Sequence, residues 1–137
     1  MGITTAICNS FKQEILEGVH ASADTYKIAL YTDAATLGAA TTAYSATNEV
    51  SGTGYTAGGE TLTGYVSGLS SNTAYITFSD PSWTDSTITA RGCLIYNSSK
   101  SNKAVAAFDF GSNVVSVSGT FTIDLPAAGA SALIRIS

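Results

Sequence analysis

"STITARGCLIYNSSKSNKAVAAFDFG", Ser86 to Gly111, decides the fold. Its first half ends in the unbroken apolar run Cys93-Leu94-Ile95-Tyr96, which suits a central strand covered on both faces. The hydrophilic "NSSKSN", Asn97 to Asn102, turns the chain, and "KAVAAFDFG" returns as a second strand. Working outward from this hairpin, "TYKIALYT" sets Tyr26, Ile28 and Leu30 against Lys27, Ala29 and Tyr31, the period-2 alternation of a strand. "TAYITFS" sets Ala74, Ile76 and Phe78 against Tyr75 and Thr77 in the same way. "VVSVSG", "TFTIDL" and "SALIRIS" add strands, and "ETLTGYVSG" adds a weaker one. Asp80-Pro81, Gly111-Ser112-Asn113 and "PAAGAS", Pro126 to Ser131, punctuate them. Short strands spaced roughly 8–12 residues apart predict an all-β fold, a seven- to eight-stranded antiparallel sandwich or barrel of jelly-roll or immunoglobulin-like kind. Residues 1–137 form one domain on this reading.

Only the N-terminal segment, residues 1–19, carries the other periodicity. Ile7, Phe11 and Ile15 recur four apart, and Lys12, Gln13, Glu14 and Glu17 mark a wet side, which predicts a helix over Thr4 to Glu17 with Gly18 as its stop. Residues 33–60 show neither period and form a long Gly/Ala/Thr-rich loop, a length that favours a functional or mobile segment.

That loop contains "NEVSGTGYTAGGE", with Gly52-x-Gly54-x-x-Ala57 spelling a permissive dinucleotide-binding turn. Such a turn needs a strand before it and a helix N-terminus after it to meet the phosphate. Here an irregular Ala/Thr stretch precedes and "GGETLTGYVSG" follows, and no lysine stands where a Walker loop needs one. A surface loop requiring positive φ at several positions is the better account. Tyr44 and Tyr55 are its aromatic anchors, for packing or for a neighbouring subunit.

Composition bounds the function. Hydrophobic residues are 45% of the 137 and charged residues only 12%, about half the ordinary share of ~25%. The chain therefore has the material for a packed interior. A net charge of −4 with scattered Lys and Arg argues against electrostatic binding of nucleic acid. No apolar run has the length of a membrane span, and the start, "MGITTAICNSFKQEILEGVH", has no secretory n- and h-region and no Ser or Thr at the sixth position for myristoylation. A protein kept in a cytoplasm is expected.

Chemistry-bearing patterns are sparse. Cys8 and Cys93 read as buried free thiols, with a disulfide from the N-terminal segment to a strand as the alternative. The sole histidine, His20, has no patterned partner and reads as solvated or capping. Asp109, between Phe108 and Phe110, is the acid expected to be half-buried on a structural hydrogen bond. No metal-ligand spacing occurs, so neither a metal nor a cofactor is expected. Trp83 reads as a core residue entering a strand or, alternatively, as a carbohydrate platform.

Taken together, "TTAICNSFKQEILEGVH" running into "DTYKIALYT", then "TTAYSATNEVSGTGYTAGGETLT", "ARGCLIYN" and "NKAVAAFDFG" resemble small virion structural proteins of tailed bacteriophages, notably phages of aquatic bacteria. The likeness runs along nearly the whole chain and includes the glycine loop. It implies a non-enzymatic virion component assembled in the host cytoplasm, in the first place a capsid decoration or cement protein that binds the major capsid protein and stabilises the shell. A neck, tail or fibre component, or a receptor- or glycan-binding module, is the alternative. With so few charges to protect sheet edges, a homo-oligomer is expected. Composition nominates Phe11, Ile15, Tyr44, Tyr55 and Trp83 as interface residues.

Overall fold

The structure, a computed structural model, describes residues 2–137. Its elements in chain order are β1 (Ala6–Ile7), α1 (Asn9–Leu16), β2 (Tyr26–Tyr31), β3 (Glu60–Thr61), β4 (Val66–Ser70), β5 (Thr73–Thr77), β6 (Ser82–Asn97), β7 (Lys103–Thr122) and β8 (Ile134–Ile136). They form two antiparallel sheets, one of five strands in the order β1-β7-β6-β2-β3 and one of three in the order β4-β5-β8. The expected all-β sandwich with a single N-terminal helix is what the chain adopts.

The decisive hairpin is β6 and β7. Tyr96 faces Ala104 and Asn97 faces Lys103 across its turn, where Ser101 and Asn102 take positive φ. Cys93 to Tyr96 are buried without a break, so both faces of β6 are covered there, and β2 and β7 flank it within the sheet. On β7 the run Ala104-Val105-Ala106-Ala107 is equally buried, its small side chains letting α1 pack close. Phe78 and Ile134, beside or within the smaller sheet, join Ile28, Leu30 and Ile95 of the larger one in a single core.

Three boundaries differ from expectation. The helix begins at Asn9 rather than Thr4, since Ala6 and Ile7 pair with Ala107 and Ala106, and Thr4 N–H donates to Leu37 O. β-branched Ile3, Thr4, Thr5 and Ile7 suit extended backbone, and a ladder was available to them. The far end behaves as predicted: Gly18 sits at φ +75°, its N–H bonding Ile15 O and the next N–H, of Val19, bonding Glu14 O. "ETLTGYVSG" is two strands in two sheets, with Gly64 at φ +69° between them. Conversely, "KAVAAFDFG", "VVSVSG" and the first half of "TFTIDL" fuse into β7, twenty residues long, because bends at Gly111 (φ +84°) and Ser118 (φ +47°) re-aim the strand without ending it.

Candidate functional site

The glycine loop owes its composition to close packing against the hairpin and β2. A Cβ on Gly52 would overlap the carbonyl oxygen of Thr87, and one on Gly54 would stand 2.8 Å from Ser86 Cα. A Cβ on Gly59 would overlap the Ile28 carbonyl. Gly54, Gly58 and Gly59 also hold positive φ, as the sequence implied. Thr87 N–H donates to Thr53 O at 2.9 Å, so this loop serves as the cover of β6's outer edge.

Glu49 fastens the loop. Its carboxylate accepts from Tyr44 Oη at 2.6 Å, Tyr55 Oη at 2.5 Å and Gly58 N–H at 2.8 Å. Burial, reinforced by that carboxylate, pushes both phenols above their ordinary range, so they remain donors. Tyr44 stacks on Tyr96 with ring centroids 4.7 Å apart, and Tyr55 lies 6.1 Å from Trp83. Trp83 is buried between Tyr55 and the edge-on ring of Phe121. These three aromatics are therefore turned inward, and Trp83 offers no open face to a sugar.

His20, expected to be solvated or capping, instead has a buried side chain, 3% exposed, bonded only to other side chains. Nε2 lies 2.8 Å from Glu14 Oε1, and Nδ1 lies 2.9 Å from Asn97 Nδ2. Asn97 Oδ1 accepts from Ser99 N–H, which fixes the amide so that Nδ2 donates both to His20 Nδ1 and to Asp24 Oδ2 at 2.8 Å. The ring proton therefore sits on Nε2, facing Glu14. Lys100 Nζ closes the chain on Asp24 at 2.8 Å. Hydrogen bonds from Lys100, Asn97 and Ala21 N–H hold the Asp24 carboxyl down at about 2. With both ring nitrogens committed, the cluster ties the exit of α1 to the hairpin turn.

Other reactive groups are similarly occupied. Cys8 and Cys93 are free and buried, and burial raises their thiols to about 11 and about 12, so neither supplies thiolate near neutral pH. Asp109 accepts from Arg91 Nε at 2.8 Å and from Gly111 N–H, which lowers its carboxyl. An open polar cleft of about 1000 Å³ lies between residues 2–4 and 36–42 and is lined also by Asp33 and by this engaged Arg91. Among the described residues, no group of three or more His, Cys, Asp or Glu is placed to hold a metal, and no helix is long and apolar enough to cross a membrane.

What stands open is apolar. Between α1 and the smaller sheet run two adjoining grooves of about 410 and 340 Å³, both walled by Phe11, Ile15, Ile134 and Ile136. Leu16, Leu69 and Ile136 border them at 90%, 74% and 55% exposure. Of the nominated residues, Phe11 forms part of the buried wall and Ile15 is half-buried beside it, whereas Tyr44, Tyr55 and Trp83 belong to the loop packing. Leu16 was the missed signal: an apolar side chain placed out of phase with the Ile7, Phe11, Ile15 stripe, among Lys12, Gln13 and Glu17. Leu69 and Ile136 gave none, because in a short strand either parity can face inward.

A scan against protein-family models matches none, and comparisons with curated proteins and with solved structures find no match.

Proposed function

We propose that the chain is a non-enzymatic structural subunit that docks onto a larger protein assembly through the apolar groove between α1 and the smaller sheet. The observation that carries this reading is the gathering of Leu16, Leu69 and Ile136, all well exposed, around grooves floored by Phe11 and Ile134. Monomeric soluble proteins seldom leave large apolar side chains grouped in this way. The groups that could carry chemistry are spent on each other: His20 on Glu14 and Asn97, Glu49 on two tyrosines, Arg91 on Asp109.

The resemblance to tailed-phage virion proteins supplies the assembly. On that reading the protein is a capsid decoration or cement subunit and the groove seats the major capsid protein. A neck, tail or fibre position uses the same surface in fewer copies. Quantitative mass spectrometry of purified virions tests the placement: a copy number comparable to the major capsid protein supports decoration, a few copies per particle supports neck, tail or fibre, and absence refutes the virion reading. Leu16→Asp combined with Leu69→Asp tests the groove, and should abolish attachment to particles while leaving the fold intact. Undiminished attachment of that folded variant would refute docking through the groove.

A further inference from the structure

Charge is shared unevenly between the apolar groove and the rest of the surface. Of the six Lys and Arg, Arg91 pairs with Asp109, Lys100 with Asp24 and Lys103 with Glu14. Lys12, Lys27 and Arg135 have no carboxylate partner among the described residues. Two of these three, Lys12 and Arg135, line the same hollow of about 340 Å³ between α1 and β8. Lys12 Nζ reaches only Asn9 Oδ1, at 3.4 Å, and Arg135 reaches only Ala130 O, also at 3.4 Å, both at the exposed surface. The chain carries ten Asp and Glu and a net charge of −4, yet among the described residues no acidic side chain lines this hollow or the adjoining one of about 410 Å³. A third hollow, of about 390 Å³, lies between β1 and β8, is again lined by Arg135, and again holds no acidic side chain. β1 is the edge of the larger sheet and β8 of the smaller one, and no described strand pairs with the outer side of either.

We infer that the groove receives a linear segment of the partner protein in which apolar side chains stand beside carboxylates. The inference rests on the docking reading above and names the chemistry of what docks. Charge complementarity selects the occupant: the rest of this acidic surface repels an acidic segment, whereas the groove excludes its own carboxylates and keeps two cations unspent. Exposed cations such as Lys12 and Arg135 add little affinity each, so burial against Leu16, Leu69 and Ile136 holds the segment, and the charges decide which segment and how fast it arrives. The cations also set its direction, with carboxylates over the end shared by Lys12 and Arg135 and apolar side chains over the end that reaches Leu69. The eight residues of α1 span about 12 Å, so the seat matches roughly four residues of extended chain. The two unpaired strand edges offer backbone partners to such a chain, which a linear segment can use and a folded surface cannot.

The test probes an array of immobilised random-sequence dodecapeptides with the purified, labelled chain at about 0.1 M salt, where charges farther apart than about 10 Å are largely screened. Spots lost with Leu16→Asp combined with Leu69→Asp report the groove, and those peptides should be enriched in Asp and Glu beside Leu, Ile, Val or Phe. Lys12→Glu combined with Arg135→Glu, with circular dichroism confirming the fold, should bind them at least about tenfold more weakly and turn the preference toward Lys and Arg. Lys27→Glu reverses the third unpaired cation, which lines none of the three hollows, and should change binding less than about twofold. Raising the salt should weaken the wild type and leave less difference between it and the doubly reversed variant. Groove-dependent peptides without acidic enrichment, or a preference that survives the double reversal, would overturn the inference and leave docking through the groove standing. An array with no groove-dependent peptide would overturn it too, and attachment of the Leu16→Asp, Leu69→Asp variant to particles then decides docking on its own.

Discussion

Along the outer side of β6, Thr87 N–H is received by Thr53 O, Gly52 and Gly54 lie against Thr87 and Ser86, and from Gly92 onward β2 takes over the pairing. Along the outer side of β7, pairing with β1 is over at Ala107, and from Gly111 no strand among the described residues pairs with it on that side. One hairpin thus has one edge sealed by its own chain and one left open. The difference lies in side-chain bulk. A loop can lie against a strand's backbone only where it has no Cβ in the way, and the chain concentrates glycine in residues 52–59 for this purpose. The open edge, Gly111 to Thr122, carries no charge and exposes Val114, Val115 and Val117.

The comparison breaks most severely at Gly54. Gly54→Ala adds a Cβ at a positive-φ position already crowded by Ser86, and should destabilise the fold by about 2–4 kcal/mol, read as a lower urea midpoint at unchanged m-value. Next comes the fastening of the sealing loop. Glu49→Ala strands the Tyr44 and Tyr55 hydroxyls and Gly58 N–H, and should cost about 2–3 kcal/mol in the same measurement.

A smaller effect belongs to the hairpin's turn end. Because Asp24 titrates at about 2 in the folded chain, below its ordinary 3.8, its stabilising contribution is complete above the unfolded value and is lost as pH falls through the folded one. The urea midpoint should therefore drop between about pH 4 and pH 2. Asp24→Asn should lower the midpoint at neutral pH and flatten that part of the profile. Smallest of all is the open edge itself: Val117→Thr should change monomer stability by less than about 0.5 kcal/mol, a surface value. A loss comparable to that of Gly54→Ala would mean that the edge is packed after all.

Strand content was legible because alternation at Tyr26–Tyr31 and Thr73–Thr77 and the apolar run at Cys93–Tyr96 are local signals. The start of the helix was not, since Ile7 keeps phase with Phe11 and Ile15 yet pairs with Ala106, and periodicity carries no information about a distant ladder. Glycines in residues 52–59 announced close approach without saying to what, as a phosphate and a strand backbone both exclude a Cβ. The His20–Asn97 contact spans 77 positions, and nothing near either residue foretells it. The exposed leucine at 16 was visible only as a departure from pattern, whose meaning depends on which neighbours arrive, and Leu69 left no such trace.

The pairing of β1 with β7 has a consequence for the chain's synthesis. Ala6 and Ile7 are made about a hundred residues before their ladder partners, Ala107 and Ala106. No strand completed earlier pairs with β1, so during translation the N-terminal segment leaves the ribosome long before its place in the sheet exists. Ile7 and Phe11 then stay uncovered until most of the chain has emerged, and the closing of this loop of about a hundred residues comes among the late events of folding.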